Sequence, residues 1–408
     1  MANLAINGGP MACDVQWPSW PMWDDGERTA LLEVLESGKW WYGERVKEFE
    51  RRFAALHGAG YGITSNSGST SLEVALLALG IQAGDEVIIP PYTFMATAVS
   101  VIRVNAIPVF ADVDGDTLCM DPADVARKIT PKTKGIIPVH IAGNFADMRR
   151  LMELAKAHGL FVLEDACHAW GSRWNGQGAG TIGDCGVFSF QVSKNITAAE
   201  GGIVITTNEA LAHSCRSYTN CGRFPGKAWY CHENIGTNLR MTEFQAAILL
   251  AQLDRFDSQM DQRQASAEIL DRGLEGVRGI VKIKQYPGID RRSYHVYPFR
   301  IDPEVLGVSR DRFVEALVAE GVPAAAGYTV PLYKFDFFRH GPVATNRGCQ
   351  PYLAAGVDYA DVCCPVCEKV CDTTVWLKHS LLLAGSEAVE KLVAAVRKVA
   401  ANAGELGK

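Results

Sequence analysis

Short apolar runs alternate with helix-spaced apolar positions through the first two-thirds of the chain. Val46, Phe49, Phe53 and Leu56 recur at helical spacing, and Gly58 supplies the stop. Strands are predicted at Tyr61–Ser65, Glu86–Pro90, Ile107–Val113, Gly135–His140, Leu160–Glu164, Gly186–Phe190 and Gly202–Thr206. Helices fit between several of them, at Ser69–Leu79 (stopped by Gly80), Thr93–Val104, Pro122–Ile129 and Asp147–His158. Strands alternating with helices build β-α-β units and a mostly parallel sheet. The unbroken apolar runs Val87-Ile88-Ile89 and Phe161-Val162-Leu163 suit strands covered on both faces.

The pattern changes near residue 242. From Thr242 to about Leu274 few breakers interrupt a helical stretch that joins two units. Beyond it Ser293–Ile301 alternates like a strand, and Ser309–Glu320 and Ser386–Ala401 read as amphipathic helices. The expected organisation is a large α/β domain over residues 1–245, a connecting helix over 246–275 and a smaller α+β domain over 276–408.

Composition excludes several classes. With 48% hydrophobic and 21% charged residues among 408, the chain reads as globular, and a net charge of -6 offers no footprint for nucleic acid. No apolar run approaches the ~18 residues of a membrane span. The first ten residues lack a basic start followed by an apolar run, so a cytoplasmic protein is expected. Cys364-Pro365-Val366-Cys367 is formally a C-x-x-C, the sharp reading being a zinc or iron–sulfur site. No second pair stands at zinc-ribbon spacing, and the expectation for the twelve cysteines, Cys349 among them, is reduced apolar packing without metal.

Gly178-Ala179-Gly180-Thr181-Ile182-Gly183 matches the dinucleotide fingerprint G-x-G-x-x-G, but a turn precedes it and a strand-like run follows, so the context fails. Thr64 to Leu72 is better placed. It follows a strand and opens a helix, where backbone N–H groups and the helix dipole converge on a phosphate, although serine and threonine there are also ordinary helix caps. Glu164 and Asp165 end an apolar strand, the end at which open α/β sheets bind ligands, with His168 three residues on. Lys194 lies between an apolar strand and a Glu200-Gly201-Gly202 turn, and a lysine in a desolvated site acts as a Schiff-base nucleophile. Phosphate cradle, strand-end acid and lysine together are the parts needed to hold pyridoxal 5'-phosphate (PLP).

These blocks, in this order, resemble the DegT/DnrJ/EryC1/StrS aminotransferases. They include Ser67-Gly68-Ser69-Thr70, Gly84-Asp85-Glu86, Glu164-Asp165-Ala166, Phe188-Ser189-Phe190, Lys194 with Glu200-Gly201-Gly202, and Gly236-Thr237-Asn238. The resemblance implies a fold-type I PLP-transferase, α/β, with a mostly parallel central sheet and a smaller C-terminal domain. It further implies that Lys194 forms the aldimine and shuttles the proton, that Asp165 pairs with the pyridine nitrogen, and that Gly68, Ser69 and Ser189 bind the phosphate. Phe94 would stack on the ring and His168 would lie near the ring oxygen. Asn238 would reach the phosphate from a neighbouring subunit of a homodimer. On residue grounds alone Phe94 also fits a core position, and Asn238 a cap of the helix starting near Thr242.

Relatives that dehydrate sugars replace the lysine by histidine, so Lys194 favours transamination. The implied reaction is ping-pong amination of a keto-sugar or keto-cyclitol by glutamate or glutamine, as in amino sugar and aminocyclitol pathways. The alternatives are an aromatising enzyme of the 3-amino-5-hydroxybenzoate synthase type and a non-enzymatic regulator that retains the fold. The opening Trp17-Pro18-Ser19-Trp20-Pro21 and Lys39-Trp40-Trp41 resemble the cyclitol and aminohydroxybenzoate branch. Pro331-Leu332-Tyr333 departs from the Pro-Leu-His of many nucleotide-sugar enzymes, and Pro365 to Glu368 falls where relatives carry a Pro-x-x-Glu-type segment.

Overall fold

The computed structural model describes residues 3–339 and 359–407; Cys349 lies outside them. Seven strands form the central sheet: β1 (Tyr61–Ser65), β2 (Glu86–Ile89), β3 (Ile107–Phe110), β4 (Thr133–Ile136), β5 (Phe161–Asp165), β6 (Cys185–Ser189) and β7 (Gly202–Thr206). Their order is β1-β7-β6-β5-β4-β2-β3. Only β7 runs antiparallel to its neighbours; β6, β5, β4, β2 and β3 are mutually parallel. Val87, Ile88, Ile89, Val162 and Leu163 are all fully buried, as their continuous apolar character requires.

Two helices matter most for the site. α1 (Gly68–Ala78) follows β1 and is capped by the Ser67 hydroxyl on the Thr70 N–H. α2 (Ala96–Arg103) follows β2 and begins three residues later than the periodicity predicts, because Thr93 to Met95 turn over the carboxyl end of β2 before the helix sets in. The strand expected over Gly135–His140 ends at Ile136; Val139 then bridges Asp165, and His140 turns inward beneath the sheet.

The long helical stretch after Thr242 is two helices, α3 (Glu243–Asp254) and α4 (Phe256–Gly273), meeting at Arg255. The break has a cause absent from the local pattern. Arg255 leaves helical geometry and pairs with Glu27 and Asp24 near the N-terminus. The four-stranded antiparallel sheet that follows has the order β8 (Ile280–Lys282), β9 (Val296–Ile301), β11 (Thr374–Lys378), β10 (Ala324–Ala326). Its apolar residues, with Phe313, Val389, Leu392 and Val396, form a second buried cluster.

Candidate active site

The carboxyl ends of β5 and β6, the N-terminus of α1, the start of α2 and the small sheet enclose a cavity of about 490 Å³. Gly68, Ser69, Phe94, Asp165, His168, Ser189 and Lys194 all line it. Asn238 does not. It is exposed on the loop between residues 220 and 241, where its backbone bridges Asn220. Nor does it cap α3, because Thr242 and Gln245 form a complete capping box there.

Adjacent acids on β5 part company, as alternation along a strand dictates. Glu164 is fully buried and accepts from His140 Nε2 at 2.8 Å, Gly180 N at 2.7 Å, and Ile182 N and Gly183 N at 2.6 Å each. The glycine loop that mimics a dinucleotide fingerprint is therefore an anion cradle already filled by the protein's own carboxylate. Asp165 faces the cavity. Its Oδ2 accepts from the Thr97 hydroxyl at 2.8 Å and its Oδ1 from the Cys167 N–H at 3.2 Å. Each oxygen retains a lone pair for a cationic partner.

At the opposite end, Gly68 lets the first turn of α1 press against β6: a Cβ there would lie 2.7 Å from Ser189 Cβ. The first-turn N–H groups have no partner within the helix and carry its positive end, which with Ser69 and Ser189 makes a donor set for a phosphate. Phe94 is 63% exposed, which overturns a core role and leaves its ring on the cavity wall.

Lys194 reaches the cavity with its amine 5.7 Å from the centre of the buried Trp170 ring. Burial lowers its pKa, against the opposing pull of Cys167 and Asp165. His168 accepts the Ala142 N–H on Nδ1 at 3.3 Å, so its proton sits on Nε2; burial, reinforced by Lys194, keeps it neutral. Thr97, His295, Tyr328 and Trp376 share the wall and escape detection from the sequence. They come from distant segments with no motif of their own.

The donor set fits PLP: an amine to bond the aldehyde, a carboxylate for a protonated ring nitrogen, and an N-terminal helix turn for the phosphate. The cysteine-rich helix Pro365–Thr373 lies elsewhere. Its Cys364, Cys367 and Cys371 are buried, and among the described residues no trio of ligand-type side chains is placed around a common point. Tyr333 is also outside the cavity. Its hydroxyl donates to Glu368 at 2.6 Å and accepts from the Cys364 N–H at 3.0 Å, so the two segments that depart from or vary on the family pattern form one contact.

Comparison with known proteins agrees with this geometry. The L-glutamine:2-deoxy-scyllo-inosose aminotransferase of Micromonospora echinospora is 39% identical, over 100% of both chains. The 3-amino-5-hydroxybenzoate synthase of Amycolatopsis mediterranei is 37% identical, over 91% of this chain and 94% of that one. A crystal structure of 3-amino-5-hydroxybenzoic acid synthase superposes with a TM-score of 0.84 at 35% identity, covering 95% of this chain and 99% of that one. The pattern of the DegT/DnrJ/EryC1/StrS aminotransferase family matches residues 21–397, and the chain belongs to that family of PLP-dependent aminotransferases.

Proposed function

We propose that the protein moves an amino group from glutamine or glutamate to a keto-cyclitol or keto-sugar, in a ping-pong sequence that uses one cavity for both half-reactions. The observation that carries this is the convergence of Lys194, Asp165 and the N-terminus of α1 on that cavity. When bound, PLP supplies an aldehyde for the lysine and a cationic ring that accepts electrons. Lys194 Nζ would take a proton from the donor's carbon in the first half-reaction and give one to the acceptor's carbon in the second; its lowered pKa keeps the amine basic yet unprotonated. Asp165 would hold the proton on the ring nitrogen, and Thr97 holds Asp165. The turn at Gly68 and Ser69, with Ser189, would anchor the phosphate, Phe94 would cover the ring and His168 would donate from Nε2 to the ring oxygen.

The acceptor class draws support from relatives named for scyllo-inosose substrates and from the rings of Tyr328 and Trp376, 4.8 Å apart on the cavity wall. Flat aromatic faces suit the C–H faces of a polyhydroxylated ring. A homodimer is part of the reading. Trp229, Tyr230 and Ile235, on the same loop as Asn238, are 73%, 79% and 99% exposed, and a second copy would cover them and receive Asn238. The free thiols of the described cysteines support a reducing, cytoplasmic setting.

The test is the visible spectrum of the PLP-loaded protein before and after glutamine or glutamate, followed by product analysis with 2-deoxy-scyllo-inosose. Loss of the lysine-linked band with donor and its return with the ketone is expected. A band indifferent to both donors would overturn the reaction proposed. The likeness to the aminohydroxybenzoate synthases favours one second reading: an aromatic product from a shikimate-like ketone would replace the transaminase assignment.

A further inference from the structure

The segment on both sides of Lys194 is gripped by remote parts of the chain. The Val192 carbonyl accepts from the Trp20 indole N–H at 2.9 Å, and the Ser193 carbonyl from His379 Nε2 at 3.1 Å. Asn195, on the other side, gives its Nδ2–H to the Ser293 carbonyl at 2.9 Å and meets His295 Nδ1 with Oδ1 at 3.1 Å. The holders touch one another. Trp20 meets His379 edge-on at 4.5 Å, His379 stacks on His295 at 5.7 Å, and His295 packs against His168 at 4.2 Å.

The proton positions in this cluster are dictated by Arg263. That residue is fully buried on α4 and donates from Nη2 to His379 Nδ1 at 3.3 Å; its guanidinium also lies 5.8 Å from the Trp20 ring. A guanidinium can only donate, so His379 Nδ1 must accept, and its single proton must sit on Nε2, facing the Ser193 carbonyl. Asn195 is fixed the same way. With Nδ2 committed to Ser293, its Oδ1 takes the proton of His295 Nδ1. Protonating His379 a second time would set an N–H against the Arg263 N–H. Burial holds His379 neutral, and Arg263, Lys194 and Lys378 add to that, with the Ser193 hydrogen bond opposing them.

We propose that His379, its proton fixed by Arg263, and Trp20 are positioning residues that clamp the segment Val192–Asn195 so that the Lys194 amine is held beside Trp170 on the cavity wall. This rests on Lys194 being the reactive amine, but the clamp itself needs no cofactor. The groups facing that amine are Asp165, Cys167, His168, His295 and Trp170. Releasing the clamp lets the amine leave the Trp170 ring for a more hydrated position, which returns its pKa toward the ordinary lysine value and leaves more of it protonated, hence less nucleophilic, at neutral pH.

Competitive acetylation of the cofactor-free full-length protein with acetic anhydride, read at Lys194 by mass spectrometry across pH, tests this directly. In the wild type the labelling midpoint is expected below the usual lysine value. His379→Leu should raise the midpoint by half a pH unit or more and lower reactivity at pH 7.5 several-fold. His379→Gln, which can accept from Arg263 and donate to Ser193, should label as the wild type does. Trp20→Phe keeps the ring, removes one N–H from a half-buried residue and should shift the midpoint the same way, so the question stays open to decision if His379→Leu does not fold. Unchanged labelling in Trp20→Phe and in any folded His379→Leu, or a His379→Gln shift as large as that of the leucine, would overturn the clamp. A wild-type protein with the expected labelling but no visible band on adding PLP would instead overturn the catalytic reading.

Discussion

Thr97, in the first turn of α2, donates its hydroxyl to Asp165 Oδ2 at 2.8 Å while its oxygen lies 3.0 Å from the Thr93 hydroxyl. The acid at the end of β5 is thus oriented by a helix sixty-eight positions earlier in the chain. Thr97→Val keeps the shape and deletes the donor. A hydrogen bond to a charged group contributes about 1.5 to 3 kcal/mol, so turnover is expected to fall roughly tenfold or more with little change in thermal stability. Unaltered turnover would remove Thr97 from the proposed machinery.

Lys194→Ala should abolish the visible lysine-linked band and lower turnover by about 10²- to 10⁴-fold or more, the usual range for losing a positioned acid–base group. Asp165→Asn should keep the band, since the lysine is untouched, and still cripple proton abstraction. Absorption spectra and single-turnover rates on the two variants separate linkage from proton transfer.

Gly68→Ala places a methyl against Ser189 Cβ at 2.7 Å. The first turn of α1 must then move off β6, and PLP affinity measured by equilibrium dialysis is expected to drop about tenfold, equivalent to ~1.4 kcal/mol. Adding Ser189→Gly to the same protein removes the closest contact, leaving the Cα at 3.2 Å, but also one hydroxyl, so affinity should recover only in part. A full loss in both variants would point away from steric displacement.

Four histidines, His57, His168, His295 and His379, have pKa values pushed down by burial, that of His57 to about 3. Their unfolded counterparts bind protons near the ordinary value of 6.5. Below that pH the unfolded chain therefore takes up more protons than the folded one, and stability is lost as pH falls. The stability is complete above about 6.5, and for His57 the loss continues toward about 3. Each histidine adds up to about 1.4 kcal/mol per pH unit to the slope. Urea midpoints of the cofactor-free protein at pH 7.5 and 5.5, where ordinary carboxylates stay ionised, should differ clearly; equal midpoints would count against four buried neutral imidazoles.

Glu164→Gln should destabilise the protein by about 3 to 5 kcal/mol, because the amide turns an NH₂ group toward N–H donors that need an acceptor and leaves a buried network partly unmet. Urea unfolding measures the loss. The same variant should leave Lys194 labelling unchanged, which distinguishes a supporting acid from one that faces the cavity.

Most of the sheet was legible because its strands are buried on both faces and carry unbroken runs such as Val87-Ile88-Ile89, and because Gly58 and Gly80 end their helices in left-handed geometry. The candidate site was legible where chemistry follows strand ends and helix starts: Asp165, Lys194, Gly68 and Ser69. Thr97, Trp376, Tyr328 and His295 were not, since nothing local distinguishes a threonine in a helix or an aromatic ring on a strand or loop until the chain folds them onto one wall. The break at Arg255 was hidden for the same reason. Its cause, Glu27, lies 228 residues away.

Glu164 and Asp165 are separated by one peptide unit and by the thickness of the sheet. Because the side chains of a strand alternate, their roles depend on register rather than on residue type. Exchanging the two, Glu164→Asp together with Asp165→Glu, would keep every apolar side chain and both acids, yet the shorter aspartate under the glycine loop would fall short of its donors and the longer glutamate would enter the cavity. The cradle at Gly180 to Gly183 is, in that sense, a ruler. By accepting a carboxylate of one length at one position, it fixes which acid is left to face the chemistry.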